Sequence, residues 1–321
     1  MTPTSTSSPF AAGRARGRAL AGIALLAYVA VALFGGGYFV YLLNLIGIFS
    51  LVAIGLNILT GFSGQTSIGH AGFFAIGAYT SGLAALLWGM PFWLAIPLGG
   101  VLATVVGGLI ALPALRLKNL YLAIATLGFG VVTQKVIFEW QSITGGGAGL
   151  HVPLPTLFGL PVDDGSRMAW IILAVLAAGT WSAARLSASR TGRALKMLRE
   201  SETAAACLGI RIARYKVVAF ALSAFYTAVA GGLYAFVVRY INPESFDFNM
   251  SVMFLAMIVI GGMGSVRGAI LGAVFYVAVP EAVRGVKDAP GLIFGLSLML
   301  VVVLLPGGLT SLFQSRQKET A

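Results

Sequence analysis

Apolar stretches of about 20 residues recur along almost the whole chain, and that is the length an α-helix needs to cross the hydrocarbon of a bilayer. Ten-residue segments of alternating polarity, the mark of a membrane β-barrel, do not occur. Of the 321 residues 58% are hydrophobic and only 10% charged, against roughly 25% charged in soluble domains. The chain therefore reads as an all-α polytopic membrane protein. Expected spans are 19–35, 38–60, 70–88, 92–115, 119–138, 168–187, 216–238, 251–264, 268–284 and 291–306, about ten transmembrane helices. The tract 251–284 is long for one crossing and short for two, so counts from eight to ten stay open.

A net charge of +11 would suggest a nucleic-acid partner in a soluble chain. Here the basic residues cluster in short segments between spans, where they set orientation. Placing the Arg-rich N-terminus in the cytoplasm puts Arg116, Lys118, the segment from Arg185 to Lys216, Arg316 and Lys318 on the same side. The expected organisation follows. Residues 1–18 form a flexible cytoplasmic tail, 19–306 the transmembrane domain, and 307–321 a second cytoplasmic tail. Within the domain, 139–167 is an external loop and 188–215 a cytoplasmic segment. Arg14, Arg16 and Arg18 before an apolar run resemble a signal peptide, but no Ala-x-Ala site follows, so the first span is expected to stay as an anchor. The single cysteine, Cys207, excludes an intramolecular disulfide.

Two segments break the apolar pattern. "GFSGQTSIGHAGFFAIGAYTSG", residues 61–82, carries six glycines together with Gln65, Thr66, Ser67 and His70. Irregular backbone at membrane depth is tolerated only where protein buries it or a water-filled cavity meets it. A broken or re-entrant element beside a solute path is thus expected, with Gly61, Gly64, Gln65, Ser67, Gly69 and His70 as candidate path residues. The plainer reading is close helix packing through small residues. "IGGMGSVRGAILGAVFYVA", near residue 260, follows a span in the same way and spaces its glycines similarly. Paired Gly-interrupted segments in corresponding halves point to a pathway at a repeat interface, so two pseudo-symmetric halves are expected. His70 suits either a hydrogen bond to a neighbouring helix or a place in the cavity wall. Lys135, near the outer end of its span, is expected to snorkel to the interface.

The segment 185–216 holds eight of the 21 basic residues. Residues 192–208 read as one amphipathic helix, capped by Thr191 or Ser189 and ended by Gly209 in a left-handed conformation. Lys196–Glu200 and Arg199–Glu202 have the spacing of helical ion pairs. The small residues 204–207 suit docking into another protein's groove, while the alternative is a helix lying on anionic lipid.

No P-loop of the form G-x-x-x-x-G-K-[ST] is present, so this chain is not expected to bind a nucleotide in that way. With His70 and His151 as the only histidines and no acid inside the expected spans but Glu281 near the outer end of 268–284, neither a metal cluster nor an acid–base pair is evident. Ion-coupled transport would more often place acids within the spans.

"TGRALKMLRESETAAACLGI" resembles the cytoplasmic "E-A-A…G" segment of ABC-importer permeases, in the form found in branched-chain amino acid permeases of the LivM type. "NILTGFSGQTSIGHAGFFAIGAY", "LKNLYLAIATLGFG", "GGMGSVRGAILGA" and "LLPGGLTSL" resemble further segments of that family in the expected order, together covering most of residues 55–310. Cys207 stands where the family usually has a small residue. The resemblance implies a permease subunit of an ATP-driven importer in the bacterial inner membrane, multi-pass, translocating branched-chain amino acids delivered by an extracytoplasmic binding protein. It also implies a cytoplasmic coupling helix between the two halves, with Gly192, Arg193, Arg199, Glu202, Ala204, Ala205 and Gly209 engaging an ATPase. A homologous LivH-like permease and two ATPase subunits would be partners, with ATP and Mg bound there and no cofactor in this chain. Similar permeases carry urea, short amides or other amino acids, and an ion-coupled secondary transporter is a more distant alternative.

Overall fold

The computed structural model describes residues 28–311, except 34, 118, 158, 159, 162–164, 286–289 and 306. The described chain is almost wholly helical. Helix α1 (Gly37–Leu56) runs directly into a π-helical segment, Asn57–Phe62, after which irregular backbone over 63–69 leads to α2 (His70–Trp88). There follow α3 (Phe92–Ala114), α4 (Asn119–Glu139), α5 (Gly165–Ala188), α6 (Arg190–Glu200), α7 (Glu202–Cys207), α8 (Ile212–Val238), α9 (Phe248–Gly261), α10 (Val266–Ala282) and α11 (Pro290–Leu304).

Seven described segments are helical, long and apolar enough to cross a membrane: α1 with its π-helical extension, α2, α3, α4, α5, α8 and the segment Pro243–Gly261 containing α9. At 17 and 15 residues, α10 and α11 are shorter. The expected span 19–35 lies mostly outside the described residues, of which 28–33 are helical. The tract 251–284 forms two helices. A Cβ at Gly261 would strike the carbonyl of Gly268, and one at Gly272 that of Met257, so α9 and α10 run antiparallel in backbone contact. Gly262 and Gly264, at φ +114° and +86°, make the turn between them.

α8 packs against α1, α2 and α3 at the centre of the bundle. Small residues set that packing. A Cβ at Gly77 of α2 would run into the Ala228 carbonyl of α8, and one at Gly231 of α8 into the Phe74 carbonyl of α2. Without a hydrophobic drive between helices in lipid, such close approach lets dispersion and polar contacts hold the bundle. Around it, Phe62, Phe74, Phe220, Phe246 and Phe254 are buried, whereas Leu98, Val101, Leu102, Val105 and Leu109 of α3 are exposed on the surface that would face lipid.

The external loop expected at 139–167 is tied down in places. Leu150–His151 pairs antiparallel with Tyr240–Ile241 beyond the end of α8. This ribbon packs beside Gly82, 12 residues along α2 from His70, or about 18 Å at the helical rise. The ribbon and the 63–69 break therefore sit toward opposite ends of the bundle.

The helix expected over 192–208 is two helices. Ser201 adopts an extended conformation (φ −161°, ψ 117°), ends α6 and caps α7 by accepting from the Ala204 N–H. A serine with an acid following it at the first helical position is a favourable start signal, strong enough here to divide a stretch with good helical composition. Ser189, one of the two candidates, caps α6 through the Gly192 N–H. Gly209 takes φ +77° after α7, as expected.

Candidate functional site

The two glycine-rich interruptions and the basic segment singled out in the sequence meet at one end of the bundle. The first is the end of α1. Its π-helical turn leaves carbonyls without the usual partner four residues on, and local side chains take up several. Ser63 Oγ donates to the Leu59 carbonyl at 2.6 Å, and Thr60 Oγ1 to the Gln65 carbonyl at 3.1 Å. Gly64 supplies the required positive φ of 72°.

The second segment is α6, which reaches across to the first. Arg199 Nη1 donates to the Gly61 carbonyl at 2.6 Å. A Cβ on Gly64 would lie 3.1 Å from Arg199 Cγ, so the arginine stem lies over the break. Lys196 Nζ stands 5.4 Å from the centre of the Phe62 ring, within the range of a cation–π contact. The third segment is the α9–α10 turn, where the Gly264 N–H donates to Asn57 Oδ1 at 2.8 Å. Gly61 admits this turn, since a Cβ there would come within 2.6 Å of the Gly264 nitrogen.

Between these segments lies a cleft of about 440 Å³, bounded by Gly61 and Phe62 of the first break, Lys196, Met197, Arg199 and Glu200 of α6, Ser201 between the helices, Ala204 and Ala205 of α7, and Met263 and Gly264 of the turn. One guanidinium and one asparagine thus connect both glycine-rich breaks to the basic segment. The side-chain partners differ from those the helical spacing suggested. Lys196 Nζ donates to Ser187 Oγ at 2.9 Å, Arg199 binds the Gly61 carbonyl, and Glu202 pairs with Lys216 Nζ at 2.6 Å. Neither Lys196–Glu200 nor Arg199–Glu202 forms: Lys196 turns back to Ser187, and the break at Ser201 takes Glu202 out of register with α6. The Lys216 side chain is only 8% exposed while that of Glu202 is 51% exposed. The pair therefore anchors α7 to the N-terminal end of α8, and its contribution is moderated by solvent on the glutamate side.

Of the remaining segment residues, Gly192 is buried at the α5–α6 corner, where a Cβ would strike the Leu186 carbonyl. Arg193 Nη1 donates to the Ala188 carbonyl at 3.0 Å. Ala205 is buried, Ala204 exposed, and Gly209 has open space around it.

Deeper in, His70 is fully buried between two hydroxyls, with Ser67 Oγ 2.9 Å from Nδ1 and Ser223 Oγ 2.7 Å from Nε2. Both ring nitrogens are engaged, and the second links α2 to α8. Gly69 and Gly72 press on α4, where a Cβ at Gly69 would strike the Thr126 carbonyl and one at Gly72 would come 3.0 Å from Phe129. Gln65 is buried too. Its Nε2 donates to Ser63 Oγ at 3.1 Å, while its Oε1 is without a partner among the described residues. A buried acceptor left unpaired costs on the order of 1–3 kcal/mol. Lys135, by contrast, is exposed and lies 5.4 Å from the Phe138 ring centre.

Asn57, Lys216, Ser223 and Gly264 carry contacts in this region that sequence reasoning did not assign. The glycine repeat near residue 260 marked Gly264's neighbourhood. The other three look like ordinary polar residues in apolar helices until the tertiary partner is seen.

The family described as branched-chain amino acid transport system, permease component, matches residues 38–305. The chain is 35% identical over 295 residues to the high-affinity branched-chain amino acid transport system permease protein LivM of Escherichia coli (strain K12), covering 84% of this chain and 69% of that one. It is 25% identical over 311 residues to the probable branched-chain amino acid transport permease protein LivM of Methanocaldococcus jannaschii, covering 82% and 90%. To the high-affinity branched-chain amino acid transport system permease protein LivH of Escherichia coli (strain K12) it is 27% identical over 293 residues, covering 81% and 90%. With the family's segments in order along a bundle of membrane-length helices, this multi-pass membrane chain belongs to the branched-chain amino acid transport system permease component family.

Proposed function

We propose that this chain is a membrane-spanning subunit of an ATP-driven importer that carries branched-chain amino acids handed over by an extracytoplasmic binding protein. It works beside a homologous permease subunit and two ATPase subunits, which bind the ATP and Mg, and needs no cofactor of its own. Its N-terminus lies in the cytoplasm of the bacterial inner membrane. About ten spans form two pseudo-symmetric halves, each with a Gly-interrupted element, and segment 188–215 couples them to the ATPase. The reading is carried by one observation: Arg199 and Asn57 link α6, the π-helical end of α1 and the α9–α10 turn around one cleft. A push on α6 and α7 from the cytoplasm would be felt directly at both breaks.

The lack of fixed charge along the described apolar spans, apart from groups near helix ends, suits a solute whose own charges cancel. The test is reconstitution of the chain in vesicles with the permease, ATPase and binding proteins encoded by neighbouring genes. ATP-dependent uptake of leucine is expected. Uptake of urea in its place, or uptake that follows an ion gradient without ATP, would overturn the reading.

Gln65 and Ser67 are proposed to line the solute path in one state of the cycle. Their burial here, with Gln65 Oε1 lacking a partner among the described residues, fits a closed conformation in which polar groups wait for a solute or water. Cysteines placed at 65 and 67 are expected to react with a polar thiol reagent in only one nucleotide state. Protection in every state would remove both residues from the path.

A further inference from the structure

The cleft between the basic segment and the glycine-rich breaks carries charged groups with hydrogen-bonding capacity left over from the contacts that join its walls. Its walls hold two cations, Lys196 and Arg199, and one anion, Glu200, above an apolar floor that includes Phe62, Met197 and Met263. Concave sites for small ligands are built this way, mostly apolar with a few charged groups that fix orientation. Arg199 spends one N–H on the Gly61 carbonyl, and a guanidinium has five donors in a rigid fork. Glu200 makes no ion pair with a described residue.

We propose that this cleft binds a zwitterionic amino acid with an aliphatic side chain from the cytoplasmic side. The ligand's carboxylate is held by Arg199 and Lys196, its ammonium by Glu200, and its side chain by Phe62, Met197 and Met263. A carboxylate on a guanidinium makes charge-assisted hydrogen bonds, stronger than neutral ones. A ligand seated there wedges α6 and α7 against Gly61 and Gly264, so accumulated amino acid slows its own import. This regulatory consequence rests on the function proposed above, whereas the binding itself does not.

The test places a cysteine at the cleft, Met263→Cys in a Cys207→Ala background, with Met197→Cys as a second variant should the first fail to fold. In nanodiscs, L-leucine is expected to slow labelling by a polar thiol reagent about tenfold at saturation. Isocaproate, which lacks the ammonium, and isoamylamine, which lacks the carboxylate, are expected to protect little. Glu200→Gln should weaken leucine protection about tenfold, the loss of one charged hydrogen bond. Equal protection by all three compounds, or none by leucine, overturns the site. In reconstituted vesicles, leucine loaded on the cytoplasmic side should lower the initial uptake rate, and Glu200→Gln should relieve that inhibition. Labelling requires neither ATP nor uptake. Failure of uptake in unloaded vesicles would therefore count against the proposed function, and failure of protection against the cleft.

Discussion

Gly77→Leu is expected to prevent the bundle from assembling, and Gly77→Ala to weaken it substantially. Even the first added carbon would run into the Ala228 carbonyl of α8, a backbone atom that moves only with its helix. Three further contacts of α2 would move with it. Gly231 presses on the Phe74 carbonyl, Gly99 of α3 sits 3.1 Å from the Gly77 carbonyl by the same Cβ measure, and Tyr79 donates from its hydroxyl to the Ile241 carbonyl. Overpacking a well-filled interior costs about 1–3 kcal/mol for small insertions and more where the backbone must shift. Alanine should thus lower the melting midpoint in detergent, and leucine should abolish the monodisperse peak in size-exclusion chromatography. Gly108→Leu on α3 is the control, since a Cβ there meets nothing within 4 Å. Equal behaviour of the Gly77 and Gly108 variants would mean that the α2–α8 contact does not hold the fold.

Arg199→Ala is expected to reduce ATP-driven uptake by about 10- to 100-fold while leaving the amount of folded protein nearly unchanged. The variant removes the donor that ties α6 to the end of α1. A hydrogen bond from a charged group contributes about 1.5–3 kcal/mol, and each 1.4 kcal/mol lost from a coupled step is about tenfold in rate. ATP hydrolysis should continue in the complex without matching uptake, which is the signature of lost coupling and not of lost assembly. Arg199→Lys keeps a donor but not the fork, and should recover part of the rate. Unchanged uptake in Arg199→Ala would show that motion of α6 reaches the membrane helices by another route, with the Glu202–Lys216 pair of α7 and α8 the next to examine.

Much of the fold was legible because its signals are local. A 20-residue apolar run becomes a helix in lipid whatever surrounds it, since backbone polar groups there must be satisfied within the segment. Hence the spans expected from residue 38 onward fall on helices within a few residues, including a pair for the divided tract 251–284. The break after α1 was legible for the same reason, because the glycines at 61, 64 and 69 cannot sustain a regular helix against Gln65 and Ser67. Pairing was not local. Glu202 stands three residues from Arg199, yet binds Lys216 of another helix, because the extended Ser201 turns it away.

The sequence by itself determined the helices, the two glycine-rich interruptions and the basic segment, since composition, glycine and caps act within a few residues of where they stand. Only the tertiary structure decided that these three segments share one cleft. Arg199 and Gly61 are separated by 138 positions, and Asn57 and Gly264 by 207. What brings them together is the close packing of α1, α2, α8, α9 and α10, where glycines remove the side chains that would otherwise hold the backbones apart.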